Sequence, residues 1–166
     1  GAGIASWDAA LLADLAVLSV IDRLDAGEFT AAFCAVRPPG HHAGADFFGG
    51  YCFLNNAALA AQHLRNGGCK KVAVLDIDYH HGNGTQDIFA DDARVLYASS
   101  HQWPLYPGTG AEDERGIGNM HNAILMPGAR SFEFREAWSL QLLPAIDAFE
   151  PQLIMISAGF DGHRLD

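Results

Sequence analysis

An unbroken apolar run, Lys71-Val-Ala-Val-Leu75, gives way directly to Asp76-Ile-Asp78-Tyr-His80-His81-Gly-Asn83-Gly-Thr85. A run that short and that apolar reads as a buried strand of a parallel sheet. Acid and imidazole side chains packed immediately after it sit at the strand's carboxyl end, where open α/β sheets build their sites. If the backbone stays extended, alternation sends Asp76, Asp78 and His80 to one face and Ile77, Tyr79 and His81 to the other. Three ligand-type side chains on one face make a poor core and a good seat for a divalent metal.

The rest of the chain repeats this grammar. A helical pattern opens at Ser6 and runs to Asp25, with Gly27 as its stop. Ala31 to Val36 reads as a short strand ended by Arg37-Pro-Pro-Gly40, and a glycine-rich loop follows to Gly50. Asn55 to Arg65 is an alanine-rich helix closed by Gly67-Gly68. After the Val72 to Asp76 strand come a short helix near Thr85 to Phe89 and a strand from Arg94 to Ser99, with His101 just past its end. A brief strand at Ala123 to Met126 precedes a helix from Ser131 to Phe149, which Pro144 is expected to bend. Gln152 to Ser157 is the last strand, leading into Ala158-Gly-Phe-Asp161. Strands alternating with helices of this length predict an α/β fold, a parallel sheet with helices on both faces, in one domain over residues 1–166. Every polar cluster falls where a strand becomes a loop, so distant segments can converge on one sheet edge.

Composition narrows the function classes. The chain has 166 residues, 49% of them hydrophobic, enough for a real core. A net charge of −10 argues against a nucleic-acid binder, which carries a basic patch. Cys34, Cys52 and Cys69 are odd in number and widely spaced, with no CxxC pair, and read as reduced thiols of a cytoplasmic protein. Ala9 to Ile21 is apolar, but Asp14 interrupts it and Asp22-Arg23 closes it, which argues against a membrane span.

Four clusters carry chemistry: His41-His42; Asp76, Asp78, His80 and Asn83; Ser99 and His101; and Asp161 with His163. A mononuclear catalytic metal needs three protein ligands and an open position, and Asp78, His80 and Asp161 supply that set from two strand ends. Two carboxylates and an imidazole suit zinc or ferrous iron. The metal lowers the pKa of water and polarises a carbonyl, and a non-ligand histidine serves as general base. Asp76 can pair with one of His41 and His42, while neutral Asn83 leaves the other closer to its free pKa. Each cluster alone has a structural reading, as a loop, a capped turn or a helix cap. Tyr51 and Tyr106 either pack under their loops or wall a narrow entrance suited to a linear alkyl arm.

These residues resemble the zinc-dependent histone deacetylase family in its broad sense, which includes the acetylpolyamine amidohydrolases. Arg37-Pro-Pro-Gly-His-His-Ala, Gly49-Gly-Tyr-Cys-Phe-Leu-Asn-Asn, Asp76-Ile-Asp-Tyr-His-His-Gly-Asn-Gly-Thr-Gln, Tyr106-Pro-Gly-Thr-Gly and Ser157-Ala-Gly-Phe-Asp-Gly-His occur in the family's order. Asn83 and the Ser-Ala-Gly-Phe-Asp string resemble the class II and bacterial branch. The resemblance implies the arginase/deacetylase fold and hydrolysis of an N-acetyl amide to acetate and amine. It implies zinc on Asp78, His80 and Asp161, His42 as general base, and His41 with Asp76 as an electrostatic partner. The Gly50 carbonyl would accept the substrate amide proton, with Tyr51 and Tyr106 flanking an acyl-lysine or acylpolyamine tunnel. A potassium ion would use Asp76, the carbonyls of Asp78 and His80, and Ser99. Tyr51 stands where many histone-directed members have phenylalanine, a feature of the polyamine-directed enzymes, whereas Ser99 to Gly110 resembles general bacterial deacetylases.

The family also supplies a tyrosine beyond the Asp161 motif that hydrogen-bonds the developing oxyanion. These residues stop at Asp166, so they read as a truncated catalytic core of weak or absent activity, with exposed sheet edges prone to self-association. Two other classes stay open. An arginase- or agmatinase-type two-manganese hydrolase needs a second acidic cluster near Asp161, which Gly162-His-Arg-Leu-Asp166 fits poorly. The other is a non-catalytic, metal-bound interaction module.

Overall fold

The computed structural model describes residues 3–166. Four strands form one parallel sheet in the order β3-β2-β1-β4: β1 Val72–Asp76, β2 Val95–Gln102, β3 Met120–Leu125 and β4 Leu153–Ser157. The central strand β1 is buried at every position, as its unbroken apolar run requires. Its alternate residues feed two cores. Val72 and Val74 join Tyr97, Met120 and Phe89 beneath helices α1 (Ile4–Asp25), α2 (Asn56–Asn66) and α3 (Asn83–Phe89). Ala73 and Leu75 pack on the opposite face with Leu96, Ala98, Trp138 and Leu142. Helices therefore cover both faces, as the α/β reading expects.

Helix boundaries follow local chemistry. The Asn55 side chain caps α2 by accepting the Ala58 N–H at 3.0 Å. α1 starts two residues before the expected Ser6, whose hydroxyl accepts the Gly3 N–H at 3.3 Å. α1 is long and apolar enough to cross a membrane by length and composition, yet Ala10, Ala13, Asp14 and Ile21 are buried, and His63 ties α2 to Asp22 at 2.6 Å.

Three expectations need correction. Ala31 to Val36 lies in no ladder: Phe33 is 74% exposed, because an alternating sequence becomes a strand only with a neighbour to pair with. The long helix from Ser131 is divided into α4 (Ser131–Ala137), a π turn (Trp138–Leu142) and α5 (Leu143–Phe149). Pro144 has no N–H to give a carbonyl in the preceding turn, and the wide turn sits just before it, with the Leu143 N–H reaching back to Trp138 O. Lastly, β2 runs on to Gln102, so His101 lies inside the strand rather than past its end.

Candidate active site

β1 ends at Asp76, and residues 77–82 then turn instead of continuing extended. The simple alternation at the strand end is thus corrected, although its main consequence survives. Asp78 and His80 face Asp161, which follows β4 on the neighbouring strand end, and the ligand atoms of all three lie within 4.8 Å of one another. The backbone holds each carboxylate. The His80 N–H donates to Asp78 Oδ1 at 2.8 Å, and the Tyr79 N–H donates to Asp161 Oδ1 at 3.1 Å. His80 Nδ1 is then left facing Asp161 Oδ2 at 2.8 Å and Asp78 Oδ1 at 3.2 Å. A half-buried N/O donor set that closes on one point fits a divalent cation.

The His41-His42 loop is brought to this point by α3. The Gly84 and Thr85 N–H groups, at the start of that helix, donate to the His41 carbonyl at 3.0 and 3.1 Å. Asn55 Nδ2 adds bonds to Ala43 O and Thr85 Oγ1 at 2.9 and 3.0 Å, roles that the sequence reading missed. The two imidazoles then meet different partners. His41 Nδ1 sits 2.9 Å from Asp76 Oδ2, and His42 Nδ1 sits 2.8 Å from Asn83 Oδ1. Burial pushes the His41 imidazole down, but Asp76, with Asp78 and Asp161 nearby, outweighs it and holds the pKa above the ordinary histidine value. Burial, and after it the charge on His41, pushes His42 down to about 4. Burial raises the Asp78 carboxyl, against the pull of His41.

A pocket of about 650 Å³ opens above these groups, with Gly50, Tyr51, Tyr106 and Phe160 in its wall. Tyr106 stands edge-on to His42, ring centroids 5.1 Å apart. Tyr51 is 89% exposed and holds a left-handed backbone (φ 63°), one of the few non-glycine residues to do so. Gly50 precedes it at φ 52°, and a Cβ there would strike the His42 ring, so glycine is needed twice over. Cys52 Sγ lies 3.4 Å from both the His42 N–H and the Gly50 carbonyl; burial pushes its thiol up to about 11. All three cysteines are free.

The other singled-out residues fall elsewhere. Asp76 and Ser99 are direct neighbours across the β1–β2 pair, the arrangement expected of a potassium seat, but the Ser99 hydroxyl bonds His101 Nδ1 at 2.8 Å. His101 faces away from the pocket, toward Gly110 O at 2.9 Å, and stacks against His81 at 4.7 Å between centroids. The His163 side chain receives the Leu165 N–H at 3.3 Å and does not line the pocket. Three of the four sequence clusters thus converge, and the third lies underneath them.

At the ends of a parallel sheet, two carboxylates and an imidazole that could hold a metal ion thus lie beside a histidine pair with unlike partners. Residues 3–166 match the histone deacetylase domain, and the chain belongs to that family. Among its relatives are a probable deacetylase of Archaeoglobus fulgidus, 42% identical over 164 residues, and an acetylpolyamine amidohydrolase of Mycoplana ramosa, 43% identical over 169. The matches take in 96% and 97% of this chain but 46% and 49% of those proteins. The HD domain of HDA15 superimposes with a TM-score of 0.90 at 41% identity, over 94% of this chain and 48% of that one. An acetylpolyamine aminohydrolase from Burkholderia pseudomallei gives 0.81 at 41% identity, over 96% and 46%. The chain spans about half the length of these relatives.

Proposed function

We propose that this chain carries the metal and base half of a deacetylase site, hydrolysing an N-acetyl amide, of acetyl-lysine or an acetylpolyamine, to acetate and a free amine. The observation that carries the reading is the meeting of Asp78, His80 and Asp161 with two histidines whose different partners push their pKa values in opposite directions. Zinc or ferrous iron suits the donor set, and a bound ion would supply Lewis acidity toward the acetyl carbonyl and toward water.

His42 is the base. Its Nδ1–H donates to Asn83 Oδ1, which leaves the Nε2 lone pair free, and a pKa of about 4 keeps that nitrogen unprotonated at neutral pH. Nε2 takes a proton from water as it attacks the acetyl carbon, then gives that proton to the leaving amine nitrogen. His41, whose pKa Asp76 raises, favours its charged form and in that form would stabilise the negative charge that builds on the acetyl oxygen. The Gly50 carbonyl accepts the substrate amide N–H, while Tyr51 and Tyr106 flank the alkyl arm. A potassium ion at Asp76 and Ser99 belongs to the same reading. The tyrosine that the family resemblance implies as oxyanion donor is not among these residues, so turnover by this chain is weak. Losing one such donor costs about 10²–10³ in rate.

The test is acetate release from acetyl-lysine peptide and acetylpolyamine, together with metal analysis, on this chain and on a full-length relative. One equivalent of metal, with slow release that His42→Ala abolishes, supports the reading. Two equivalents of manganese with urea-type chemistry would sink it. One equivalent with no acetate from either substrate would leave a metal-bound interaction module.

A further inference from the structure

Tyr97 lies outside every motif considered so far. It stands on β2 opposite Val74, on the α1–α3 face of the sheet, and is 0% exposed. For packing alone a phenylalanine would serve there, since its neighbours are Val72, Val74 and Met120. Its hydroxyl, however, reaches up the face to the end of the neighbouring strand. It donates to Asp76 Oδ2 at 3.1 Å and accepts the Gly82 N–H at 3.1 Å.

That same Oδ2 receives His41 Nδ1 at 2.9 Å, while Oδ1 takes the Asp78 N–H at 3.2 Å. The carboxylate of Asp76 is 0% exposed, so no bulk water can replace a lost donor. Burial and the adjacent Asp76 charge hold the phenol far above its ordinary pKa, so the hydroxyl stays a donor at any working pH. Space is equally tight: a Cβ on Gly82 would strike Asp76 Oδ2, and Tyr97 Oη would stand 2.7 Å from it. Edge-on contact with His81, 5.9 Å between centroids, holds the phenol ring.

We propose that Tyr97 is a positioning residue for the His41–Asp76 pair: its hydroxyl orients the Asp76 carboxylate toward His41 and clamps the Gly82 end of the loop that carries Asp78 and His80. Its kinetic effect rests on the deacetylase reading, but its effect on His41 does not. With the hydroxyl gone, Oδ2 keeps His41 as its one donor, and the carboxylate can turn about its Cβ–Cγ bond. The imidazole then loses its single orientation.

The test is Tyr97→Phe, read first by imidazole-region NMR of the metal-free chain. The wild type is expected to show a downfield Nδ1 proton for His41, assigned by its loss in Asp76→Asn. In Tyr97→Phe this proton should move upfield or broaden by exchange, with the melting temperature lowered by only a few degrees. In the metal-loaded protein, kcat should fall about tenfold or more with KM within twofold, as for other partners that orient a site through an intermediate side chain. An unchanged His41 proton, or equal falls in stability and in kcat/KM without a kcat effect, overturns the proposal. If the wild type releases no acetate but the His41 proton still shifts, Tyr97 keeps its positioning role and the deacetylase reading alone fails.

Discussion

Two histidine pairs lie a short distance apart and are built alike. His41 and His42 have ring centroids 4.0 Å apart at 47°, and His81 and His101 have theirs 4.7 Å apart at 49°. Their protonation is nevertheless unlike. In the pocket pair one imidazole is raised and its neighbour is lowered to about 4. In the lower pair both are lowered: His81 to about 4, first by burial and then by the charge on His101, and His101 by burial alone. Stacking cannot be the cause, since it is shared.

The difference lies in what each ring nitrogen touches. One nitrogen of the pocket pair faces a carboxylate and another faces an amide. The lower pair meets only neutral groups: Thr109 and Gln86 around His81, Ser99 and the Gly110 carbonyl around His101. Glu114 is near, but its oxygens are taken by the Gly110 and Ala111 N–H groups and by Gln86 Nε2. A carboxylate on one ring and an amide on the other push the two imidazoles apart in pKa. Without a carboxylate they become a clasp, here closing the Tyr106-Pro-Gly-Thr-Gly110 loop onto β2.

The sharpest way to break this contrast is to remove one ring from each pair. His42→Ala should lower acetate release by about 10²–10⁴-fold, the usual worth of a positioned base, with the melting temperature nearly unchanged. His101→Ala should act the other way. It leaves a hole and strips partners from Ser99 and Gly110, and should cost about 2–4 kcal/mol, read as a lower urea midpoint at constant m. Similar kinetic losses in both variants would erase the distinction between base and clasp.

The pH dependence of stability sharpens it further. His42 and His81 bind protons in the unfolded chain near pH 6.5 but in the folded one only near 4. Stability should therefore fall as pH drops from 6.5 to 4, by up to about 1.4 kcal/mol per unit for each such group. His41, raised by Asp76, contributes in the opposite sense: its share is complete below 6.5 and is lost as pH rises through its folded pKa. Urea midpoints across pH 4–7 should thus show a shallower acid slope in His81→Gln and a steeper one in Asp76→Asn.

The smallest effect concerns the mirror case, a buried carboxylate with no histidine. Asp14 is 5% exposed, neither of its oxygens has a hydrogen-bond partner among the described residues, and burial raises it to about 6. Its charged form is unfavourable in the fold, so it lowers stability as pH rises from 3.8 through 6. Asp14→Leu should stabilise the fold at pH 8 by about 1–2 kcal/mol, read as a higher urea midpoint at constant m, with a smaller gain at pH 5. No gain at pH 8 would mean that Asp14 has found a partner.

How much of this was legible follows the same physics. That Asp78, His80 and Asp161 come together could be read because each lies within a few residues of the end of an apolar run, so a strand end predicts its place. That one carboxylate and one amide would be divided between His41 and His42 was readable from the residues, whereas which ring takes Asp76 came only from the family resemblance. The clasp was not: His81 looks like part of the metal motif, and its partners Thr109 and Gln86 come from a loop and a short helix. Tyr97 was hidden in an apolar strand, its one signal a hydroxyl two positions before Ser99 on the same face. Ala31 to Val36 failed for a different reason, because alternation describes a side-chain pattern and cannot supply the neighbouring backbone.

The strand that carries Asp161 is held from one side. β4 pairs with β1 alone among the described strands, and Ile154 and Ile156 are 52% and 59% exposed. Amide exchange should therefore be fastest in β4 and slowest in β1, and the sheet should loosen from that margin inward. Asp78 and His80 follow an inner strand, and Asp161 follows an edge strand of the described sheet. Opening at β4 would thus withdraw Asp161 from the candidate donor set before Asp78 and His80, and the off-rate of an added divalent metal would gauge how firmly β4 is seated.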